Sequence, residues 1–201
     1  MHKGRKKTEN KSVLRGFCIC MISFLLLNGL FLGGCSVKPA ELTSYELGVA
    51  ALQSGEWDKA FSLFSESIQT KGQEALGHRG QGLVYLEKDD YENAITSFTS
   101  CLDTTEHPGL NKAFVEDVDL YLAKAYVENG QPDKALTIYS QLLKGDNAGT
   151  AYLLRGKLYA EAGKFGQADQ DFQRAVENNP SFEVYLQIYD LYSAVNRQAD
   201  G

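Results

Sequence analysis

Cysteine is scarce in this chain, and its placement makes it scarcer still. Of four cysteines in 201 residues, Cys18, Cys20 and Cys35 fall near the N-terminus, leaving only Cys101 for the rest. One cysteine builds no disulfide framework, no redox pair and no thiolate metal site, so Cys101 is read as a buried, unreactive thiol. Histidine is almost as rare: His2 lies in the N-terminal segment, and His78 and His107 stand alone. Isolated histidines of this kind are expected at surfaces or helix ends rather than as ligands. The sequence also lacks H-E-x-x-H, G-x-S-x-G, G-x-G-x-x-G and the EF-hand calcium loop. Gly163-Lys164 ends like a phosphate loop, but Leu158 occupies the position where that loop needs glycine. The acidic pairs Asp89-Asp90 and Asp169/Asp171 are read as solvated charges at turns and on helix surfaces. No metal, no cofactor and no enzymatic activity are expected.

A basic stripe is missing too. The first 34 residues hold Lys3, Arg5, Lys6, Lys7, Lys11 and Arg15 against a single acid, Glu9. The remaining residues comprise 14 basic and 25 acidic ones, about −11 in net charge. Nucleic-acid binding depends on Lys and Arg neutralising phosphates, so an acidic body of this kind argues against it.

The basic run is explained by its neighbour. Gly16 to Leu32 contains no charged residue, and a basic start, an apolar core and small residues make a secretory signal. Leu32-Gly33-Gly34-Cys35 resembles the lipobox of bacterial lipoproteins. That resemblance implies cleavage after residue 34 and lipidation of Cys35. An uncleaved membrane anchor and simple secretion stay open, since about 17 apolar residues lie at the lower limit for spanning a bilayer. All three readings place the body outside the cytoplasm, at a cell membrane or outer membrane if it is lipid-anchored. Residues 35–40 then form a linker, and its last five residues reach at most about 17 Å.

The remainder repeats itself. In 163–175 a glycine, Gly163, is followed by Phe165, Ala168, Phe172 and Ala175. Gly55, Trp57, Ala60, Phe64 and Ser67 repeat the pattern, as do Asp89, Tyr91, Ala94, Phe98 and Cys101. Gly130, Pro132, Ala135, Tyr139 and Leu142 form a looser copy. The alanines are spaced by 34, 41 and 33 residues, and periods of this size mark a stacked array. About twelve residues before each alanine stand Gly48, Gly82, Ala123 and Gly156. Small residues on facing helices let their axes approach, and a large ring fills the space beside the contact. The glycine or aspartate between the helices ends the first and permits the turn.

These residues closely resemble the tetratricopeptide repeat family, and the resemblance covers 41–182. It implies an all-α fold, an α-solenoid of helix-turn-helix repeats at 41–74, 75–108, 116–149 and 149–182. The third repeat departs most, with Ala123 for a glycine and Leu142 for a small residue, which implies a wider spacing or a different join. Residues 183–201 are expected to form a capping helix or the start of a truncated fifth repeat.

In that family the first helices line a concave groove that holds a peptide or a partner helix. Carried over by position, the groove consists of Tyr45, Val49, Arg79, Leu83, Leu120, Lys124, Leu153, Lys157, Leu186 and Asp190. Leu120, Leu153 and Leu186 would form an apolar strip, with Arg79, Lys124 and Lys157 focusing positive potential beside it. The alternative is that these cations pair with helix neighbours such as Glu128 and Glu161. The asparagines of the family's carboxylate clamp are absent from these helices. The expected function is a membrane-anchored, extracytoplasmic interaction scaffold for a partner protein or a peptide with apolar and acidic groups. The alternative is a non-catalytic recruiting or regulatory subunit of a cell-wall or secretion enzyme.

Overall fold

The computed structural model describes residues 42–104 and 111–194. The apolar N-terminal segment, Cys35 and its linker therefore lie outside the described residues, as do His107 and residues 195–201.

Among the described residues there are nine helices and no strand: α1 (Ser44–Gln53), α2 (Trp57–Ile68), α3 (Glu74–Glu87), α4 (Tyr91–Asp103), α5 (Lys112–Glu128), α6 (Pro132–Leu142), α7 (Ala148–Glu161), α8 (Phe165–Asn178) and α9 (Phe182–Ala194). The chain is an all-α solenoid of helical hairpins. Local chemistry sets several starts. Thr43 and Glu46 close a reciprocal capping box on α1, Asp90 and Asn111 accept from the third backbone N–H of α4 and α5, and Pro132 opens α6. Such caps satisfy backbone donors that have no partner inside the helix. Each hairpin turns at one equivalent position, where Gly55, Gly130 and Gly163 have φ of 75°, 71° and 72° and Asp89 has φ of 56°.

Packing within each hairpin follows the size pairing. A carbon added at Gly48 would come within 2.7 Å of the Phe64 ring; at Gly82, within 2.5 Å of Phe98; and at Gly156, within 2.7 Å of Phe172. The missing side chains are what admit these rings, and Phe64 and Phe98 are fully buried. Burying one such ring stabilises the fold by roughly 1.5–3 kcal/mol. In the third hairpin Ala123 replaces the glycine, and the buried Tyr139 takes the ring position. Leu142 is buried there with Ala151 and Leu158 of α7, so the larger side chain fills the space between the third and fourth hairpins.

Polar ties recur between hairpins as well. Gln81 donates to Ser65 at 3.0 Å, and Arg155, its counterpart two repeats on, donates to Ser140 at 3.1 Å. Arg155 also grips Asp171 with two hydrogen bonds of 2.7 Å. Asp171 is therefore not a solvated surface charge: it is buried, and a buried carboxylate requires such a partner. Asp169, its neighbour, accepts a hydrogen bond from the Tyr192 hydroxyl.

The join between the third and fourth hairpins has a device of its own. The buried carboxylate of Glu116, on α5, accepts from the backbone N–H of Asn147 at 3.2 Å, just before α7, and from Lys112 at 3.2 Å. Burial pushes this carboxyl upward, but Lys112 and the backbone N–H groups of Asn147 and Asp146 hold it below the ordinary glutamate value. Asp119, one turn on, is raised by its own burial and then by the charge of Glu116.

Candidate peptide-binding groove

The first helices of successive hairpins meet at three of their four joins: α1 touches α3, α3 touches α5, and α7 touches α9, whereas α5 and α7 do not approach to that extent. No two second helices approach to that extent among the described residues. The first helices thus line the inner side of the curve, and all ten sequence-derived groove residues lie on them.

Their surroundings differ. Tyr45 and Val49 pack at the edge of the first hairpin's core, and Leu83 at the edge of the second. Leu120 is half-buried, while Leu186 is 40% exposed. Leu153 is only 7% exposed, packed in the core that α7 shares with α8 and α9. The three leucines therefore do not form one continuous apolar strip: the middle one supports the fold, because α9 folds over it.

The three cations also separate. Arg79 donates to Asp117 at 2.9 and 2.5 Å and to the Tyr45 hydroxyl at 3.1 Å. It lies over the rings of Tyr121 and Phe114, at 5.3 and 6.0 Å from their centroids. Burial works against its charge, but Tyr45 and Asp117 more than restore it and hold the guanidinium protonated. Arg79 is thus a compensated cation tying α1, α3 and α5 together rather than an open positive charge. Lys157 faces Glu161 one turn on, at 3.9 Å. An exposed pair of this kind contributes at most about 1 kcal/mol. Lys124 has no ion-pair partner among the described residues, which makes it the freest cation on this side. Asp190, at the far end, is exposed.

Sequence reasoning missed Asp117. It sits on α5 one turn before the expected groove position Leu120, at the register of Leu76 in α3 and Thr150 in α7. Cys101 is fully buried, and burial pushes its thiol up to about 12. None of the described helices is long and apolar enough to cross a membrane.

An array of helical hairpins with its first helices side by side around an open groove defines a helical-repeat protein. The model of the tetratricopeptide repeat matches residues 45–106 and 120–181, and the chain belongs to that family. Among curated proteins it is similar to the photosystem I assembly protein Ycf3 of Prochlorococcus marinus (strain MIT 9303), with 28% identity over 149 residues, 67% of this chain and 80% of that one. Among solved structures it is similar to YrrB, a TPR protein with an unusual peptide-binding site, at TM-score 0.56 and 19% identity over 78% of each chain. It is also similar to TTC0263, a thermophilic TPR protein of Thermus thermophilus, at TM-score 0.59 and 18% identity over 77% of this chain and 82% of that one.

Proposed function

We propose that this protein is a non-catalytic scaffold, lipid-anchored through Cys35 on the extracytoplasmic side of a membrane, that holds a partner protein or peptide against its first helices. The carrying observation is Lys124: it lies on a first helix one turn after Leu120, with no ion pair of its own among the described residues. A cation left open beside apolar side chains suits a segment that offers an acidic group next to an apolar anchor. The assembly role of the Ycf3 relatives and the peptide-binding site of YrrB support a binding role of this general kind. The anchor rests on the lipobox-like residues Leu32 to Cys35.

Two experiments test this reading. Crosslinking in intact cells, followed by co-purification from membranes, should recover a partner with the wild-type chain and lose it with Lys124→Glu/Lys157→Glu. Unchanged recovery would remove the groove from consideration. Metabolic labelling with a fatty-acid analogue should mark the wild-type chain and spare Cys35→Ala; equal labelling of the two would remove the anchor.

A further inference from the structure

The last described helix, α9, carries an apolar face that the groove set touches only at Leu186. Phe182, Tyr185, Leu186 and Tyr189 are 80%, 54%, 40% and 65% exposed. Their spacing of three, one and three residues sets them on one stripe of a helix. The opposite side is occupied: Val184 and Tyr192 are buried against α7 and α8, with Ile188 and Leu191 packed beside them, and Tyr192 meets Phe172 edge-on at 5.4 Å.

Two features of the stripe restrict what covers it. The first is size. Counting by the repeat, Tyr189 stands where Gly48, Gly82, Ala123 and Gly156 stand in the earlier first helices. Those small residues receive a large ring from the second helix of their own hairpin, as Gly48 receives Phe64. At α9 the large ring is on the first helix, so whatever packs here must present small side chains opposite Tyr189. The second is charge. Glu183 and Asp190 are both exposed, and at about 100° per residue they fall on the same edge of the stripe, beside Leu186. They are the only charged residues of α9. An antiparallel pairing of two copies of α9 would set these acidic edges against each other, which disfavours an antiparallel second copy as the occupant.

We propose that this face docks an amphipathic helix of a partner protein, with small residues along its centre and Lys or Arg along one edge, spaced about two turns apart. The site shares Leu186 and Asp190 with the groove set, but Phe182, Tyr185 and Tyr189 belong to it alone, so changes at the two tyrosines separate it from the groove.

The test uses the full chain and two synthetic helices of about five turns, alike in an Ala-centred, Leu-edged apolar face. One carries Lys along the edge, the other Glu. Fluorescence anisotropy should show the Lys helix binding at least about tenfold more tightly than the Glu helix. Tyr185→Ala and Tyr189→Ala should each abolish binding of the Lys helix while leaving the helical circular dichroism unchanged, and Glu183→Lys/Asp190→Lys should reverse the preference. Neither tyrosine variant should alter the crosslinked partner lost in Lys124→Glu/Lys157→Glu. Equal binding of the two helices, no binding of either, or binding that survives both tyrosine changes would each overturn the proposal. So would a dimer in sedimentation velocity that Tyr189→Ala dissolves, because the occupant would then be a second copy.

Discussion

The ring of Phe64 lies between two glycines of different repeats: Gly48 of its own hairpin, and Gly80 of the next. A side-chain carbon added at Gly80 would fall on the ring itself. Phe64 is therefore both the centre of its hairpin and the surface on which the following hairpin seats. Gly80→Ala gains about 1 kcal/mol of helix propensity, but the overpacking it forces costs about 1–3 kcal/mol, so the variant is expected to be less stable. Phe64→Ala is expected to cost about 3–5 kcal/mol. Combined with Phe64→Leu, Gly80→Ala should lose less than the sum of the two single changes, because the smaller side chain vacates the contested space. Urea denaturation of the wild type, the two single variants and the double variant measures this coupling directly.

How much of this was legible beforehand depended on period. Contacts repeated at a fixed offset, such as Gly48 with Phe64, Gly82 with Phe98 and Gly156 with Phe172, declare themselves because each copy confirms the others. Contacts made once are silent. Asp117 bonds Arg79 across 38 residues at a register where the other first helices carry Leu76 and Thr150, and Asp171 is buried with Arg155 bonded to its carboxylate. The open groove was harder still. Leu153 occupies a groove position by register, yet α9 packs over it, and no counting of residues reveals where a neighbouring helix comes to rest.

Asp89 is the one described non-glycine residue in the left-handed region, at φ of 56°. Its three counterparts are glycines. An L-residue there carries a steric cost that glycine lacks, though aspartate tolerates it better than most. Asp89→Gly also removes the acceptor for the Tyr91 hydroxyl, at 3.0 Å. That exposed bond is weak, so the backbone relief should win by about 0.5 kcal/mol. Thermal denaturation should therefore show a small rise in Tm, and a fall would mean that the hydroxyl contact matters more than the backbone.

The Arg79–Asp117 pair spans 38 residues and ties α3 to α5. With the Arg79 side chain 17% exposed and that of Asp117 40% exposed, it lies between a surface pair and a buried one. A double-mutant cycle with Arg79→Ala and Asp117→Ala should give a coupling of about 1–2 kcal/mol. Arg79→Ala should cost more than Asp117→Ala, since it also removes the Tyr45 hydrogen bond and the contacts with Tyr121 and Phe114. A coupling near zero would show that the guanidinium acts here through its packing alone.

Glu116 and Asp119 sit one turn apart on α5 and titrate in opposite senses. Glu116 is held below its usual 4.5, so its folded state favours the carboxylate. The stability it contributes is present at neutral pH and is lost as pH falls through its lowered value. Asp119 is raised above 3.8 by burial and by Glu116. Its ionisation therefore costs stability at neutral pH, and that cost disappears as pH falls from its raised value towards 3.8. Asp119→Asn should thus raise Tm at pH 7, with the gain shrinking on acidification. Glu116→Ala should lower stability by about 1–3 kcal/mol at pH 7, because it leaves the backbone N–H of Asn147 without its acceptor. The two effects are linked. Once the charge at position 116 is gone, part of what raises Asp119 goes with it, so Asp119→Asn should gain less in the Glu116→Gln background than in the wild type. Equal gains in both backgrounds, measured by thermal denaturation across pH, would show that burial alone raises Asp119.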